Sequence, residues 1–247
     1  MNQKYEFQNV IGLGYAAASR VAPVVTKLVG LPRTVVDLGG GGGGWSRAFR
    51  DLGSEKVVCI DHPSVRARDL LIPVEDFKPW DLVKSMPPAE PSDLALCIEV
   101  AEHLPSTCAE GMVQFLVDSS DLVLFSAAIP KQGGHKHINE RRASHWRQLF
   151  AAKGYDRVDA VRPQIVSDPS IPWWLRQNLM LYARRNCSRW DELSIVPQFH
   201  FPDDFELVST EILEGHTTTF FQALGELRWL FRRGFVAHVL RRGVLRT

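Results

Sequence analysis

Apolar residues recur along this chain in short runs that end in an acid or a turn, separated by stretches with helical spacing. Thr34–Leu38 (TVVDL), Lys56–Asp61 (KVVCID), Asp93–Val100 (DLALCIEV), Leu122–Ile129 (LVLFSAAI) and Tyr155–Val161 read as buried strands. Leu71–Phe77 is a weaker third strand in chain order, and Asn178–Ala183 (NLMLYA) is a seventh. Trp45–Leu52, Ala109–Ser119 and Ser144–Lys153 read as helices between them, the last stopped by Gly154. Tyr15–Leu28 precedes them as a helix, with Pro23 as a kink or boundary. This alternation predicts an α/β fold: a three-layer, Rossmann-like sheet of seven strands, mostly parallel. Residues 1–33 form an N-terminal helical segment, 34–185 the core, and 186–247 a C-terminal helical extension. Asp37, Asp61, Glu99 and the loop after Ile129 fall at strand C-ends, where such sheets bind ligands.

Composition adds limits. The chain has 247 residues, 45% hydrophobic and 23% charged, enough to bury a core without staples. Cys59, Cys97, Cys108 and Cys187 form no CxxC pair, and two lie in apolar runs, so buried thiols in a reducing compartment are expected. The opening residues carry no apolar leader, and no run reaches the length of a membrane span, which points to the cytoplasm. The net charge of +1 gives no push toward nucleic acid. Residues 226–247, however, hold six arginines and one acid, a net of +5 against −4 for the rest. Leu224, Leu227, Phe231 and Phe235 share a helical face there, so a basic amphipathic helix is expected. It would dock on its own domain or on another subunit of an oligomer, or make peripheral contact with an anionic membrane.

The chemistry centres on six consecutive glycines, Gly39 to Gly44, after the first strand. A glycine turn lets backbone approach a ligand, and the following helix start points N–H groups at it. Two fingerprints fit. Gly39, Gly41 and Gly44 satisfy the GxGxxG of dinucleotide binding, with Asp61 where a ribose-binding acid belongs. Gly39, Gly41 and Gly43 satisfy D-x-G-x-G-x-G led by Asp37. A carboxylate at the turn repels a pyrophosphate and favours a cationic ligand.

That second pattern is similar to class I S-adenosylmethionine (SAM) methyltransferases. The segment Glu99–Pro105 (EVAEHLP), Asp81-Leu82, Leu124–Tyr155 and Trp173–Arg185 resemble a bacterial branch of this family, many of whose members serve polysaccharide, glycoconjugate or natural-product pathways. The resemblance covers roughly residues 30–190 and implies the class I methyltransferase fold, with SAM as cofactor. It implies that Asp61 binds the ribose hydroxyls, Gly39 and Gly41 lie against the cofactor, and Asp37 holds the methionine amine. Asp81 would reach the adenine amino group, with Leu82 against the ring, and Glu99 would touch cofactor or substrate. Asp61 also fits a helix cap ahead of Pro63.

Glu99, Glu102 and His103 form an E-x-x-E-H segment read in two ways. Two carboxylates and an imidazole suit Mg²⁺ or Mn²⁺. The spacing is similar to the metal motif of small-RNA 2′-O-methyltransferases, which implies a ligand set of Glu99, Glu102, His103 and His135. Without a metal, Glu102 and His103 fix the turn, and His103, His135 or His137 serves as general base. Trp173 and Trp174 suit a stacking wall or core packing, and Arg141 and Arg142 suit a phosphate or carboxylate, or solvent. The reading is a SAM-dependent O-methyltransferase acting on a hydroxyl of a sugar, glycoconjugate or related small molecule. Its rivals are an N-methyltransferase on an amino sugar or natural product, an NAD-dependent oxidoreductase, and a non-catalytic interaction protein retaining the fold.

Overall fold

The computed structural model describes residues 3–196, with side chains from residue 14. The expected basic helix after Leu224 lies outside the described residues. The chain divides between Leu207 and Val208, and every described residue belongs to the first unit. No helix of the described residues is long and apolar enough to cross a membrane.

Among the described residues, seven strands form one sheet: β1 (Thr34–Leu38), β2 (Lys56–Asp61), β3 (Phe77–Pro79), β4 (Leu94–Ile98), β5 (Leu122–Ser126), β6 (Tyr155–Val158) and β7 (Met180–Arg184). Their order is β3-β2-β1-β4-β5-β7-β6, and only β7 runs antiparallel to its neighbours. Side chains alternate across the sheet, as a period of two requires. Val35, Val57, Leu96 and Leu124 face α1 (Gln3–Val29) and α2 (Gly44–Leu52), while Val36, Cys97, Val123 and Phe125 face α3 (Ala109–Ser119) and α4 (Ala143–Ala152). Phe49 of α2 is fully buried, which contributes about 1.5–3 kcal/mol by area removed from water. This is the expected three-layer, seven-stranded, mostly parallel architecture.

Several elements differ from expectation, for local reasons. β3 forms at Phe77–Pro79 and not over Leu71–Phe77. The Leu71 N–H bonds the Gly42 carbonyl at 2.8 Å, so that stretch covers the glycine turn and not a strand edge. α1 begins at Gln3 and runs through Pro23 without a break. The ladders of β4, β5 and β6 end at Ile98, Ser126 and Val158, before the apolar runs do. Ala127, Ala128 and Ile129 stay buried beyond the ladder, so apolar character overstates strand length here. Short helices α5 (Arg162–Ile165), α6 (Trp173–Asn178) and α7 (Trp190–Ser194) complete the described part.

Candidate active site at the strand C-ends

The glycine turn leaves the end of β1 with three residues at positive φ: Gly39 at 78°, Gly41 at 58° and Gly43 at 80°. The Gly39 N–H bonds the Ile60 carbonyl at 2.7 Å and Gly43 N–H closes on Gly40 at 2.9 Å, so the turn is rigid. A Cβ on Gly39 would stand 2.5 Å from the Val100 methyls. Nothing lies within 4 Å of the Cβ position of Gly41, so the turn is open there.

Two aspartates flank the turn. Asp37 is 1% exposed and accepts bonds from Ser46 N–H (3.2 Å) and Ser46 Oγ (2.8 Å), which ties β1 to the first turn of α2. Burial raises its pKa to about 7, against the pull of Ser46. Asp61 accepts Gly41 N–H at 2.7 Å and His62 N–H at 2.6 Å, and each oxygen retains a free lone pair. Burial raises its pKa as well, opposed by those two bonds. Asp81, at the outer side, accepts Val83 N–H at 3.1 Å and pairs with Lys84 at 3.3 Å. Leu82 is buried with Val36 and Ile60.

The E-x-x-E-H segment follows β4 across the neighbouring strand. Glu99 holds φ at 55°, uncommon for a residue with a Cβ, and its N–H is shared by the Ser126 carbonyl (3.0 Å) and Ser126 Oγ (3.1 Å). The chain then folds through a 3₁₀ turn, Ala101–His103. Glu102 is fully buried, and neither of its carboxylate oxygens makes a well-formed hydrogen bond. Burial, then the Glu99 charge, pushes its pKa up to about 9. Burial also raises the Glu99 carboxyl, against bonds from Ser126 and Asn178. His103 stands edge-on to His137, with ring centroids 4.9 Å apart. Burial, and then the His137 charge, lowers its pKa, so His103 is neutral near pH 7.

Residues 131–142 bring the remaining histidines. Glu140 organises this loop: it accepts Lys131 N–H (2.7 Å), Gly133 N–H (2.8 Å) and bonds His137 Nδ1 (3.1 Å). A Cβ on Gly134, at φ 153°, would stand 2.3 Å from the His137 ring, so only glycine admits that ring. Buried Asn139 fastens the loop to the turn, through N–H to the Glu102 carbonyl (3.1 Å) and Nδ2 to the Ala101 carbonyl (3.2 Å). Ligand atoms of Glu102, His103 and His137 lie within 4.8 Å of one another. Glu99 and His135 stand outside that group, and His135 is exposed. Trp173 and Trp174 pack against each other in α6, centroids 5.7 Å apart, both half-buried.

Sequence reasoning passed over Ser46, Asn139, Glu140 and Asn178. None sits in a motif, and only Ser46, two residues into α2, had a positional signal. Asn178 begins a chain of side-chain bonds through Gln132 (2.9 Å) and Gln177 (2.8 Å) behind Glu99. A cavity of about 510 Å³ opens at the opposite edge of the sheet, between Arg33, Asp93, Asp121 and Arg184. It precedes the strands and does not adjoin the glycine turn.

Comparison with solved structures agrees on the fold. A magnesium protoporphyrin IX methyltransferase from Synechocystis PCC 6803, with S-adenosylhomocysteine (SAH) bound, is 17% identical and superposes with a TM-score of 0.51, covering 74% of this chain and 88% of that one. A methyltransferase of calicheamicin biosynthesis, also with SAH bound, is 16% identical with a TM-score of 0.42, over 66% of this chain and 54% of that one. Human N-acetylserotonin methyltransferase in complex with SAM is 16% identical with a TM-score of 0.47, over 67% and 51%. The chain thus spans about half the length of the latter two proteins. At such identities the likeness is one of fold alone. No curated protein matches the chain. The antiparallel β7 between β5 and β6 departs from the 3-2-1-4-5-6 order of dinucleotide-binding sheets. Residues 13–178 match the family model described as a methyltransferase domain, and since that match takes in most of the sheet and every strand-end acid described above, the chain belongs to this methyltransferase family.

Proposed function

We propose that the protein transfers a methyl group from SAM to a hydroxyl of a sugar, glycoconjugate or related small molecule. The observation that carries this reading is the placement of His103 in the turn after β4, edge-on to His137 and within one cluster with Glu102, where burial favours its neutral imidazole. Asp61 has lone pairs for two ribose hydroxyls, and the open face at Gly41 admits the cofactor against backbone. Asp37 faces the methionine amine from beneath the turn, and Asp81 with Leu82 flanks the adenine. A neutral imidazole takes the hydroxyl proton as its oxygen attacks the methyl carbon; the C–S bond breaks and its electron pair stays on sulfur. An N-methyl acceptor is the nearest rival, because a neutral amine is nucleophilic enough to attack the methyl carbon without prior deprotonation by a base.

Calorimetry with SAH and NAD tests the cofactor. Labelled SAM incubated with sugar and glycan extracts tests the acceptor. Binding of NAD without SAH, or label recovered only on nitrogen, overturns the proposal.

A divalent ion held by Glu102, His103 and His137 is a second reading. The donors fit: a buried carboxylate lacking well-formed hydrogen bonds faces two imidazoles. Glu99 and His135, the other expected ligands, would have to move in to complete such a set. Mg²⁺ or Mn²⁺ there would supply Lewis-acid lowering of a bound hydroxyl's pKa. Loss of activity on chelation with rescue by Mg²⁺ or Mn²⁺ supports the ion; full activity in chelator removes it.

A further inference from the structure

Residues 131–147 carry Lys131, Lys136, Arg141, Arg142 and Arg147 against one acid, Glu140, a net charge of +4 in a segment fastened to the E-x-x-E-H turn. Both oxygens of Glu140 are already committed inside the loop, to Lys131 N–H, Gly133 N–H and His137. Arg141 stands out among the cations. Its Nε donates to Asn139 Oδ1 at 2.8 Å, and the same asparagine donates to the carbonyls of Ala101 and Glu102. The guanidinium is therefore held two hydrogen bonds from the E-x-x-E-H turn, while the residue remains exposed. No carboxylate pairs with it among the described residues. Surface arginines of this chain elsewhere do find acids: Arg33 pairs with Glu55, Arg47 with Asp51, and Arg185 with Asp156. A planar donor fork fixed at one nitrogen keeps its terminal nitrogens aligned for two oxygens of one group.

We propose that the methyl acceptor carries an anionic group, a phosphate or a carboxylate, and that Arg141 receives it. The inference rests on the methyltransferase reading and narrows its acceptor to an anionic sugar derivative or a related anionic small molecule. Arg141 is a specificity-determining residue in this scheme, and Asn139 is the positioning residue that holds it. His145 lies near enough to Arg141 to feel its charge, and Lys136 adds to the field that draws the anion in.

The test uses the full chain saturated with SAH, after its SAH affinity has been measured. Glucose 1-phosphate, glucuronate and glucose are titrated as probes, with saturation-transfer NMR as the readout. At least one anionic probe is expected to bind and glucose is not; whichever of phosphate and carboxylate binds more tightly identifies the group. Arg141→Ala is expected to weaken that probe tenfold or more with SAH affinity unchanged, Arg141→Lys to lose less, and Asn139→Asp, which places a carboxylate against Nε, to weaken it as well. Binding of glucose as tight as the anions, no anion binding at all, or an unchanged Arg141→Ala overturns the proposal. Failure to bind SAH would instead overturn the cofactor reading, since the probes can be titrated without it.

Discussion

Asp37→Asn separates the cost of a buried carboxyl from its use. In the folded chain this group is 1% exposed and its pKa is pushed from 3.8 to about 7 by burial. The folded state therefore keeps a proton that the unfolded chain has released throughout the window from pH 3.8 to 7. Stability contributed by that proton is fully present below pH 3.8, falls as pH rises through the window, and is gone above pH 7. A shift of about 3 units corresponds to about 4 kcal/mol. Asparagine retains an oxygen to accept the Ser46 Oγ–H and N–H, is nearly isosteric, and carries no charge to desolvate. In urea unfolding without cofactor, the variant is expected to match wild type near pH 4. It should gain steadily to pH 7, exceed wild type by up to about 4 kcal/mol there, and hold that margin to pH 8. SAH affinity is expected to move the other way and weaken tenfold or more if Asp37 holds the cofactor amine as proposed. A stability difference that stays constant across pH, or a variant less stable at pH 8, would refute the reasoning about Asp37.

Other expectations follow from particular contacts. Gly39→Ala should destabilise the fold by about 2–4 kcal/mol, since φ 78° and a Cβ 2.5 Å from the Val100 methyls add strain to overlap; thermal unfolding reads it, and an unchanged Tm would disprove the close approach. Because the His103 pKa lies below 6.5, the acid limb of the pH–activity profile should fall below pH 6.5, and His103→Ala should remove most activity while leaving SAH binding intact; an acid limb above pH 7 argues against His103 as the base. Tyr155→Phe, distant from the site, removes the hydroxyl that donates among the Val117 and Ser120 carbonyls, 2.9 and 2.6 Å away, and should cost about 1–3 kcal/mol by denaturant midpoint with kcat unaltered. Glu102→Gln relieves a buried carboxyl and should gain stability over wild type as pH rises from 4.5 to about 9, yet lose chelator-sensitive activity if an ion is used; unaltered, chelator-sensitive turnover would free Glu102 from any ligand role.

Much of the fold was written in the local pattern. Buried parallel strands need continuous apolar runs because both faces are covered, so β1, β2, β4 and β5 announce themselves, and α3 spans the residues its periodicity predicts. The glycine run, Asp37, Asp61 and Glu99 were equally legible, since a turn with repeated positive φ tolerates little besides glycine and strand C-ends are set by where the runs stop. Tertiary structure decided the rest. It moved β3 to Phe77–Pro79 because the Leu71 N–H is spent on Gly42, a pairing across the turn that no periodicity encodes. It chose His137 over His135 as the neighbour of His103, because Glu140 and Gly134 fix the loop. It assigned Asn139 to bind Arg141 to the E-x-x-E-H turn across nearly forty residues of chain. Local sequence sets which segments are strands and where sharp turns are possible; which side chains then meet depends on loop closures and long-range hydrogen bonds, whose partners are adjacent only once the sheet has formed.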